Sequence, residues 1–217
     1  RLLSSAASDV YKRQNNNYES FDHFLDFFSS RNRKNLKKER RKIAEQDLEI
    51  KRFTGNQISL DVVDDFYSFY VDTHLRRSGH SGYLNKDFFE KITQTIADNI
   101  LIILAYKNGR AVAGSFFFYD QNNLYGRYWG ASSDFDALHF ECCYYQGIDF
   151  CIEKNIKRFD PGVQGEHKIK RGFEPTFTFS SHWIENYDFS LAINDFLLRE
   201  DKYCLLYTSD AADERRR

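Results

Sequence analysis

Hydrophobic residues follow two different periods along this chain, and the change of period separates predicted helices from predicted strands. Apolar positions that recur every three or four residues indicate helices with one buried face. The predicted helices cover residues 18–28, 31–46, 59–79, 85–96, 136–154 and 189–199. Short apolar runs between turn residues indicate strands. The predicted strands cover residues 48–53, 99–106, 110–119, 124–130, 156–160 and 177–184.

The order of these elements predicts one α/β (α+β) domain. Lys107-Asn108-Gly109 is a tight turn that joins two strands of a three-stranded meander. A helical crossover then leads from the meander to the strand at 156–160, which we expect to lie beside the strand at 124–130. This arrangement predicts a mixed, largely antiparallel sheet with helices on both faces. The length suits a single domain with a sizeable core.

Both ends of the chain carry sequence that we expect to be foreign. Residues 4–14 (SSAASDVYKRQ) and 204–214 (CLLYTSDAADE) can be written as the two strands of one DNA sequence, shifted by one base. Such a relation arises when one sequencing adapter is translated at both ends of a read. Segments of this kind do not contribute to the native fold. We therefore predict that residues 1–14 and 204–217 are not native and make few contacts with the native domain, residues 15–203. We therefore also expect native sequence to be missing beyond both ends, and the absence of any Met agrees with this interpretation.

Composition narrows the class of protein. The 21 Phe and 14 Tyr predict an aromatic core, and the net charge of -1 gives no overall attraction to nucleic acid or anionic lipid. No apolar run is long enough to cross a membrane. Cys142, Cys143 and Cys151 lack the spacing of zinc ligands, so no metal is expected. Free thiols in the native part predict a reducing cytoplasm.

The segment 160–173, DPGVQGEHKIKRGF, concentrates the candidate chemistry. Its glycines permit positive φ and close approach to a ligand. Glu166 or His167 is a candidate general base for an attacking amine, and the basic residues after them suit a phosphate or a carboxylate. The alternative is a solvated surface loop. The candidate residues of this segment are Gly162, Gln164, Gly165, Glu166, His167, Lys168, Lys170 and Arg171.

A second candidate group lies in the strand at 124–130 and the helix after it. Strand alternation places Tyr125, Arg127 and Trp129 on one side, where an Arg between two aromatic rings suits an anionic ligand. The alternative is a core face with Arg127 paired to an acid. His139, near the start of the next helix, is interpreted as a pocket or core histidine. Asp149 in the same helix is expected to pair with a base of segment 160–173.

The predicted helix at 31–46 carries eight basic residues between positions 31 and 42, with Glu39 as the one acid among them. Such a surface suits tRNA phosphates or anionic membrane lipid. The alternative is an exposed connecting helix whose charges are matched by acids in the missing part of the protein. The alternative fits the nearly neutral chain slightly better.

Three segments together carry a family resemblance. They are 124–130 (LYGRYWG), 139–149 (HFECCYYQGID) and 160–173. They resemble the FemAB-like branch of the GNAT acyltransferase superfamily, a group of peptidoglycan biosynthesis or recognition proteins. The resemblance spans nearly all of 15–203 and implies the second of two acyltransferase-type halves. It also implies an active-site lysine shortly before a Gly-Phe pair, which both Lys168 and Lys170 fit.

The chain departs from the GNAT pattern at the loop that binds the acetyl-CoA pyrophosphate. Acetyl-CoA-dependent members have a glycine-rich loop whose backbone N–H groups cradle that anion. Here residues 130–136 read GASSDFD, with one glycine and the acids Asp134 and Asp136. An anionic cofactor would meet these carboxylates, so the loop favours aminoacyl-tRNA or another activated acyl donor over acyl-CoA.

These observations lead to one hypothesis and two alternatives. We predict an N-acyltransferase that forms an amide on a small-molecule or peptide amine, with residues 164–170 converging on Tyr125, Arg127 and Trp129. The backbone amides of Gly162 and Gly165, with Lys168, would stabilise the oxyanion. Lys168 and Lys170 are expected to be exposed, so that their replacement by Ala lowers activity and hardly changes Tm. The alternatives are an acetyl-CoA-dependent N-acetyltransferase and a non-catalytic module that binds cell-wall peptides.

Overall fold

The computed structural model describes residues 2–4, 11–14, 17–162, 165–176 and 180–199. The chain divides into a larger unit, Arg13–Pro161, and a smaller unit made of Arg1–Lys12 and Gly162–Arg217. The described strands are β1 (Leu2–Ser4), β2 (Tyr11–Gln14), β3 (Leu48–Thr54), β4 (Ile100–Lys107), β5 (Arg110–Tyr119), β6 (Asn123–Ala131), β7 (Arg158–Asp160), β8 (Glu174–Pro175) and β9 (Ser180–His182). The described α-helices are α1 (Phe21–Leu25), α2 (Ser30–Glu45), α3 (Leu60–Ser78), α4 (Lys86–Thr95), α5 (Leu138–Phe140), α6 (Gln146–Glu153) and α7 (187–199).

The sheet of the larger unit runs in the order β3-β4-β5-β6-β7-β2. Neighbours from β3 to β6 are antiparallel, and β6 and β7 are parallel, with Tyr125 opposite Asp160. The predicted mixed, largely antiparallel sheet is confirmed, as is the place of the crossover strand beside β6. The predicted turn is confirmed too: Asn108 and Gly109 have φ of 51° and 75°.

The segment 4–14 departs from its expectation. In the larger unit Arg13 pairs with Phe159, and in the smaller unit β1 pairs with β9. The expectation of few contacts is therefore wrong for the described parts of this segment. An edge strand offers unpaired backbone groups to any extended segment, whatever its sequence. The foreign origin of both ends stays a prediction, and residues 204–214 lie outside the described residues.

Helices cover both faces of this sheet. Alternate residues of β4 and Phe116 of β5 form one core with α3 and α4, in which Phe66 and Phe89 are fully buried. On the other face Ser115 Oγ donates to the Cys142 carbonyl at 2.9 Å, which anchors the helical segment between β6 and β7. The prediction of helices on both faces of the sheet is confirmed. The arrangement arises because successive side chains of a strand point to opposite faces, so that a buried strand has two apolar faces.

A pair of glycines determines how closely α3 approaches the sheet. Gly114 and Gly130 lie directly opposite each other on β5 and β6. A Cβ at Gly130 would lie 2.2 Å from the carbonyl oxygen of Phe69 in α3. Because a side chain at this position would meet backbone atoms, only glycine permits this helix-to-sheet distance.

The predicted helix at 136–154 is interrupted by a π-helical turn. The observed segment runs from Leu138 to Glu153, with α5 and α6 on either side of the turn at Glu141–Tyr145. The wider turn adds a residue to the helix repeat, so that Glu141 and Cys142 are buried together with Tyr144 and Tyr145. The regular helical period of 3.6 residues per turn, on which the sequence prediction rests, does not indicate such an insertion.

Candidate active site

A β-bulge places Arg127 outside the regular ladder of β5 and β6. Phe117 lies opposite Gly126, and the next residue, Phe116, lies opposite Tyr128. Arg127 is thus the extra residue of β6, and its side chain is exposed. Bulges of this kind change the direction of a side chain and frequently lie beside active sites.

The bulge also reverses the alternation of side chains along β6. Tyr125 lies opposite Phe118, which packs on the α3 side, whereas Trp129 lies opposite Ser115 on the other face. The prediction that Tyr125, Arg127 and Trp129 share one side is therefore wrong. Its physical reason is the inserted residue, since a shift of one position moves every following side chain to the opposite face.

Arg127 and Tyr125 nevertheless remain in contact. The guanidinium carbon lies 5.8 Å from the centroid of the Tyr125 ring, within the range of a cation–π contact. No carboxylate among the described residues forms an ion pair with Arg127. The pairing with an acid that the alternative interpretation required is thus not found in the described part of the chain.

Trp129 and His139 come together on the opposite face. Their ring centroids are 5.4 Å apart in an edge-to-face arrangement, and His139 has similar contacts with Phe140 and Tyr144. Because His139 is partly buried in an aromatic cluster, the geometry agrees with its interpretation as a pocket or core histidine.

The pairing of β6 with β7 ends early. Tyr125 and Asp160 form the last pair, and the backbone of Pro161 then passes close to Gly126. In the described larger unit no strand pairs with residues 127–131 along this edge. The bulge therefore adjoins a strand edge whose backbone groups can bind an extended ligand.

A buried charge network links α2 to the π-helical turn. Arg40 Nη2 donates to Glu141 Oε1 at 3.0 Å and to Asp149 Oδ2 at 2.7 Å. The Gln146 amide donates to the same Glu141 oxygen at 2.7 Å, and no described residue donates to the buried Oε2. The prediction that Asp149 pairs with a base of segment 160–173 is wrong, since Arg40 is its partner.

Burial determines the protonation of this network. Burial raises the pKa of Glu141, and the opposing effects of Arg40 and the Gln146 amide are smaller. Burial likewise raises the pKa of Asp149 against the effect of Arg40. Burial alone would lower the pKa of Arg40, but the two acids raise it, so Arg40 stays charged. Sequence reasoning missed the network, although an acid between apolar residues of a helix was a signal that could have located it.

The basic residues of α2 fall into two groups. One group pairs with acids of this chain: Arg33 with Asp26, Lys37 with Asp22, Arg40 with Glu141 and Asp149, and Lys42 with Asp136. The expectation that matching acids lie in a missing part is therefore wrong for these residues. The others form no ion pair within the described residues and lie exposed along one side of the helix: Arg31, Lys34, Lys38 and Arg41.

Segment 160–173 is more ordered than an irregular loop. Gly162 and Gly165 have φ of 85° and 107°, and a 3₁₀ helix runs over Glu166–Arg171. Of the candidate residues, Gln164 lies outside the described residues, and the side chain of Glu166 is not described. His167 and Lys170 lie at the surface.

Two basic side chains of this segment are buried. Lys168 is 2% exposed and its Nζ donates to the Gly162 carbonyl at 2.7 Å. Arg171 is also buried and donates to the His167 carbonyl at 2.8 Å. The prediction of an exposed Lys168 is therefore wrong, because sequence alone does not reveal which lysine the 3₁₀ turn directs inward. Partial burial, followed by the charges of Arg171 and Lys168, lowers the pKa of His167.

The segment and the β6 residues belong to different units of the chain, so the predicted convergence of 164–170 with Tyr125, Arg127 and Trp129 stays a prediction. Within the described residues no helix has the length and apolar character to cross a bilayer. Nor do the described His, Cys, Asp and Glu side chains gather in groups of three that could hold a metal ion.

The loop before α5 is tied to α2. Lys42 pairs with Asp136, and the Gln46 side chain accepts from the Asp136 N–H at 3.0 Å and donates to its carbonyl at 2.9 Å. Asp134 is exposed. The backbone amide of Asp136 is thus already bonded, which agrees with the absence of a glycine-rich anion cradle in the sequence.

The sheet order, with helices on both faces, defines a GNAT-like α+β fold, the fold of an acyltransferase superfamily. The chain belongs to the FemAB-like family, described as peptidoglycan biosynthesis/recognition, whose family model matches residues 3–215. The resemblance found in the sequence is thereby confirmed. No protein of curated function matches the chain.

Solved structures share the fold at low sequence identity. L-PGS from Bacillus licheniformis is 12% identical with a TM-score of 0.58, over 88% of this chain and 64% of that one. FemX is 12% identical with a TM-score of 0.52, over 84% of this chain and 56% of that one. The C-terminal domain of a putative lysylphosphatidylglycerol synthetase from Agrobacterium fabrum is 13% identical with a TM-score of 0.52, over 76% and 49%. The chain therefore spans less than two thirds of each of these structures.

Proposed function

We propose that this chain is the acyl-transferring part of an enzyme that forms an amide on a substrate amine, and that the reaction is aminoacyl transfer onto a peptidoglycan-type precursor. Membership in the FemAB-like family is the observation that carries this proposal. FemX and the lysylphosphatidylglycerol synthetase share the fold, and the latter's name agrees with an aminoacyl group as the one transferred.

The reaction requires a base, oxyanion donors and a place for the acyl group. The amine nitrogen attacks the acyl carbonyl, and the bond from the carbonyl carbon to the donor oxygen breaks. A base takes the amine proton and passes it to the leaving donor oxygen, which departs as a hydroxyl group. His167 suits the base because its lowered pKa keeps the imidazole neutral near pH 7. Glu166 is the other candidate. Backbone N–H groups of the same segment, at Gly162 and Gly165, would stabilise the oxyanion.

The two loop lysines receive different roles in this proposal. Lys168 bonds to the Gly162 carbonyl, so its role is to hold the loop in shape. Lys170 is exposed, so it is the lysine available to contact a carboxylate or phosphate of a ligand. Arg127 and Tyr125 would bind a further anionic group, and Arg171 would fix His167 through its carbonyl.

The donor in this proposal is aminoacyl-tRNA, with acyl-CoA as the alternative. The exposed cations Arg31, Lys34, Lys38 and Arg41 span about 15 Å along α2, a spacing that suits several phosphates of an RNA backbone. The three described cysteines are free thiols, which supports a cytoplasmic location within the same proposal.

The test is a transfer assay with the full chain. Aminoacyl-tRNA with a labelled amino acid and a cell-wall-type peptide that carries a free amine should give a labelled amide, and His167→Ala should lower the rate at least about a hundredfold. Retained peptide binding without label transfer from any donor would contradict the proposal and favour a binding module.

Donor choice is tested by binding. Lys34→Ala/Lys38→Ala should weaken tRNA binding and reduce its salt dependence, because each phosphate contact releases a counterion. The control Lys154→Ala/Lys157→Ala removes two exposed cations elsewhere and should leave binding unchanged. Titration calorimetry with acetyl-CoA should show no binding tighter than about 1 mM. Micromolar acetyl-CoA binding would identify acyl-CoA as the donor.

A further inference from the structure

The loop after α3 is held in one conformation by a buried tyrosine. Tyr70 is 2% exposed, and its hydroxyl accepts from the backbone N–H groups of Tyr83 at 3.1 Å and Leu84 at 3.2 Å. Gly82 has a φ of 94°, and a Cβ there would lie 2.5 Å from the Tyr70 ring. Gly79 ends α3 in the left-handed conformation with a φ of 71°. Because its backbone is fixed at several points, the loop from Gly79 to Leu84 presents its side chains in a defined arrangement.

Three aromatic rings meet where α3 passes into this loop, and we call them the aromatic ledge: His74 of α3, with His80 and Tyr83 of the loop. Tyr83 is 87% exposed although its backbone is fixed. Its ring centroid lies 4.9 Å from that of His80 and 6.4 Å from that of His74, and the two histidine rings are 5.7 Å apart. An exposed ring on a fixed loop, backed by two half-buried rings, suits a binding surface, since a core does not require it.

The loop that carries His80 and Tyr83 has polar groups at its edges. His80 Nδ1 accepts from the Gly82 N–H at 3.0 Å, which places the ring proton on Nε2. No described residue accepts a hydrogen bond from that Nε2. The residues from Gly79 to Asn85 include no Asp, Glu, Lys or Arg. The basic residues Arg76 and Arg77 belong to the end of α3, whereas the loop that carries His80 and Tyr83 provides neither a cation for a nucleic acid nor an acid for an ammonium ligand. This loop therefore suits a neutral ring with hydroxyl groups.

We propose that the aromatic ledge binds a sugar ring of the acceptor. The C–H face of a pyranose packs against an aromatic ring, and its hydroxyls bond to groups such as the His80 N–H and the Tyr83 hydroxyl. The inference rests on the proposed function, because a peptidoglycan-type acceptor carries amino sugars. Tyr70 connects the ledge to β6, since its ring lies 5.3 Å from that of Tyr128, next to Arg127.

The test is a binding measurement that involves no acyl transfer. Saturation-transfer NMR and titration with an N-acetylglucosamine tetramer should show millimolar binding to the full chain. Tyr83→Ala should weaken it at least about tenfold, whereas Tyr83→Phe should keep most of it. Tyr187→Ala removes a tyrosine that is 73% exposed on another helix, and binding should be unchanged.

Two results would overturn the sugar subsite: no sugar signal with the unchanged chain, or equal binding by Tyr83→Ala. Stronger binding of a single-stranded oligonucleotide that depends on Tyr83 would overturn it as well. Transfer to a sugar-free peptide amine is measured separately. If transfer occurs without sugar binding, the ledge proposal alone fails, whereas sugar binding without any transfer contradicts the proposed function alone.

Discussion

Replacement of Arg40 tests how much the buried charge network stabilises the larger unit. Arg40→Met keeps the length and the apolar stem of the side chain but leaves Glu141 and Asp149 without their cation. Each pair contributes roughly 5 kcal/mol of attraction at an effective dielectric constant of about 20, and desolvation of the three charges offsets most of it. Because Glu141 is 4% and Asp149 20% exposed at the side chain, we expect a loss of about 3 kcal/mol in unfolding free energy near neutral pH.

The loss should depend on pH. The folded-state pKa values of Glu141 and Asp149 are raised, so their favourable contribution is complete below the unfolded-state pKa values and is lost as pH rises through the folded-state values. Without Arg40 these pKa values rise further. The variant should therefore lose about 3 kcal/mol near pH 7.5 and about 1 kcal/mol near pH 5.

Urea denaturation followed by circular dichroism at both pH values measures this loss. Arg41→Met is the matched control, because Arg41 is the next residue of α2, is exposed and forms no ion pair with any described residue. It should change the midpoint little. Equal losses for the two variants, or an Arg40→Met loss that does not vary with pH, would refute the reasoning.

Two further predictions concern stability. Lys168→Ala should lower Tm by roughly 3–9 °C because it removes a buried side chain and its hydrogen bond to the Gly162 carbonyl, whereas Lys170→Ala should leave Tm unchanged, both by calorimetry. Equal Tm values for the two variants would show that the buried Lys168 does not stabilise the fold. Gly130→Ala should lower the free energy of unfolding by about 3 kcal/mol in urea denaturation, since the new Cβ would meet the Phe69 carbonyl. Gly126→Ala should lower it by less than about 1 kcal/mol, because the atom nearest to a Cβ there is 3.4 Å away. A tolerated alanine at position 130 would mean that α3 can move away from the sheet.

Local chemistry explains what could be predicted from the sequence. The side chains of Ser20, Ser59 and Asn85 accept from backbone N–H groups at the starts of α1, α3 and α4, as their positions before apolar periodic segments indicate. The order from β4 to β7 followed from the meander and the crossover, because few topologies satisfy both. Such features depend on neighbours within a few residues, so one sequence is sufficient to find them.

The candidate site contains features that depend on distant residues or on a single insertion. The partner of Arg40 lies 101 residues away in Glu141, and no pattern in either segment identifies the other. The residues of β6 are those of an ordinary strand, and nothing in them marks the bulge at Arg127. The sequence therefore predicted side chains that alternate regularly between the two faces of the sheet. Lys168 is buried because the short 3₁₀ helix turns its side chain toward the protein. The sequence, with basic residues also at positions 170 and 171, does not show which of these side chains points inward.

The bulge has a consequence for how β6 can vary between related proteins. Phe116 and Phe117 are consecutive on β5, so a chain without Arg127 would pair Gly126 and Tyr128 with the same two residues and keep every other side chain on its present face. The hairpin therefore does not depend on position 127 for its register or for its core. This position can change in identity, or be deleted, while the fold persists. The side chain at the edge of β6 can thus diverge at a single position without a cost to folding.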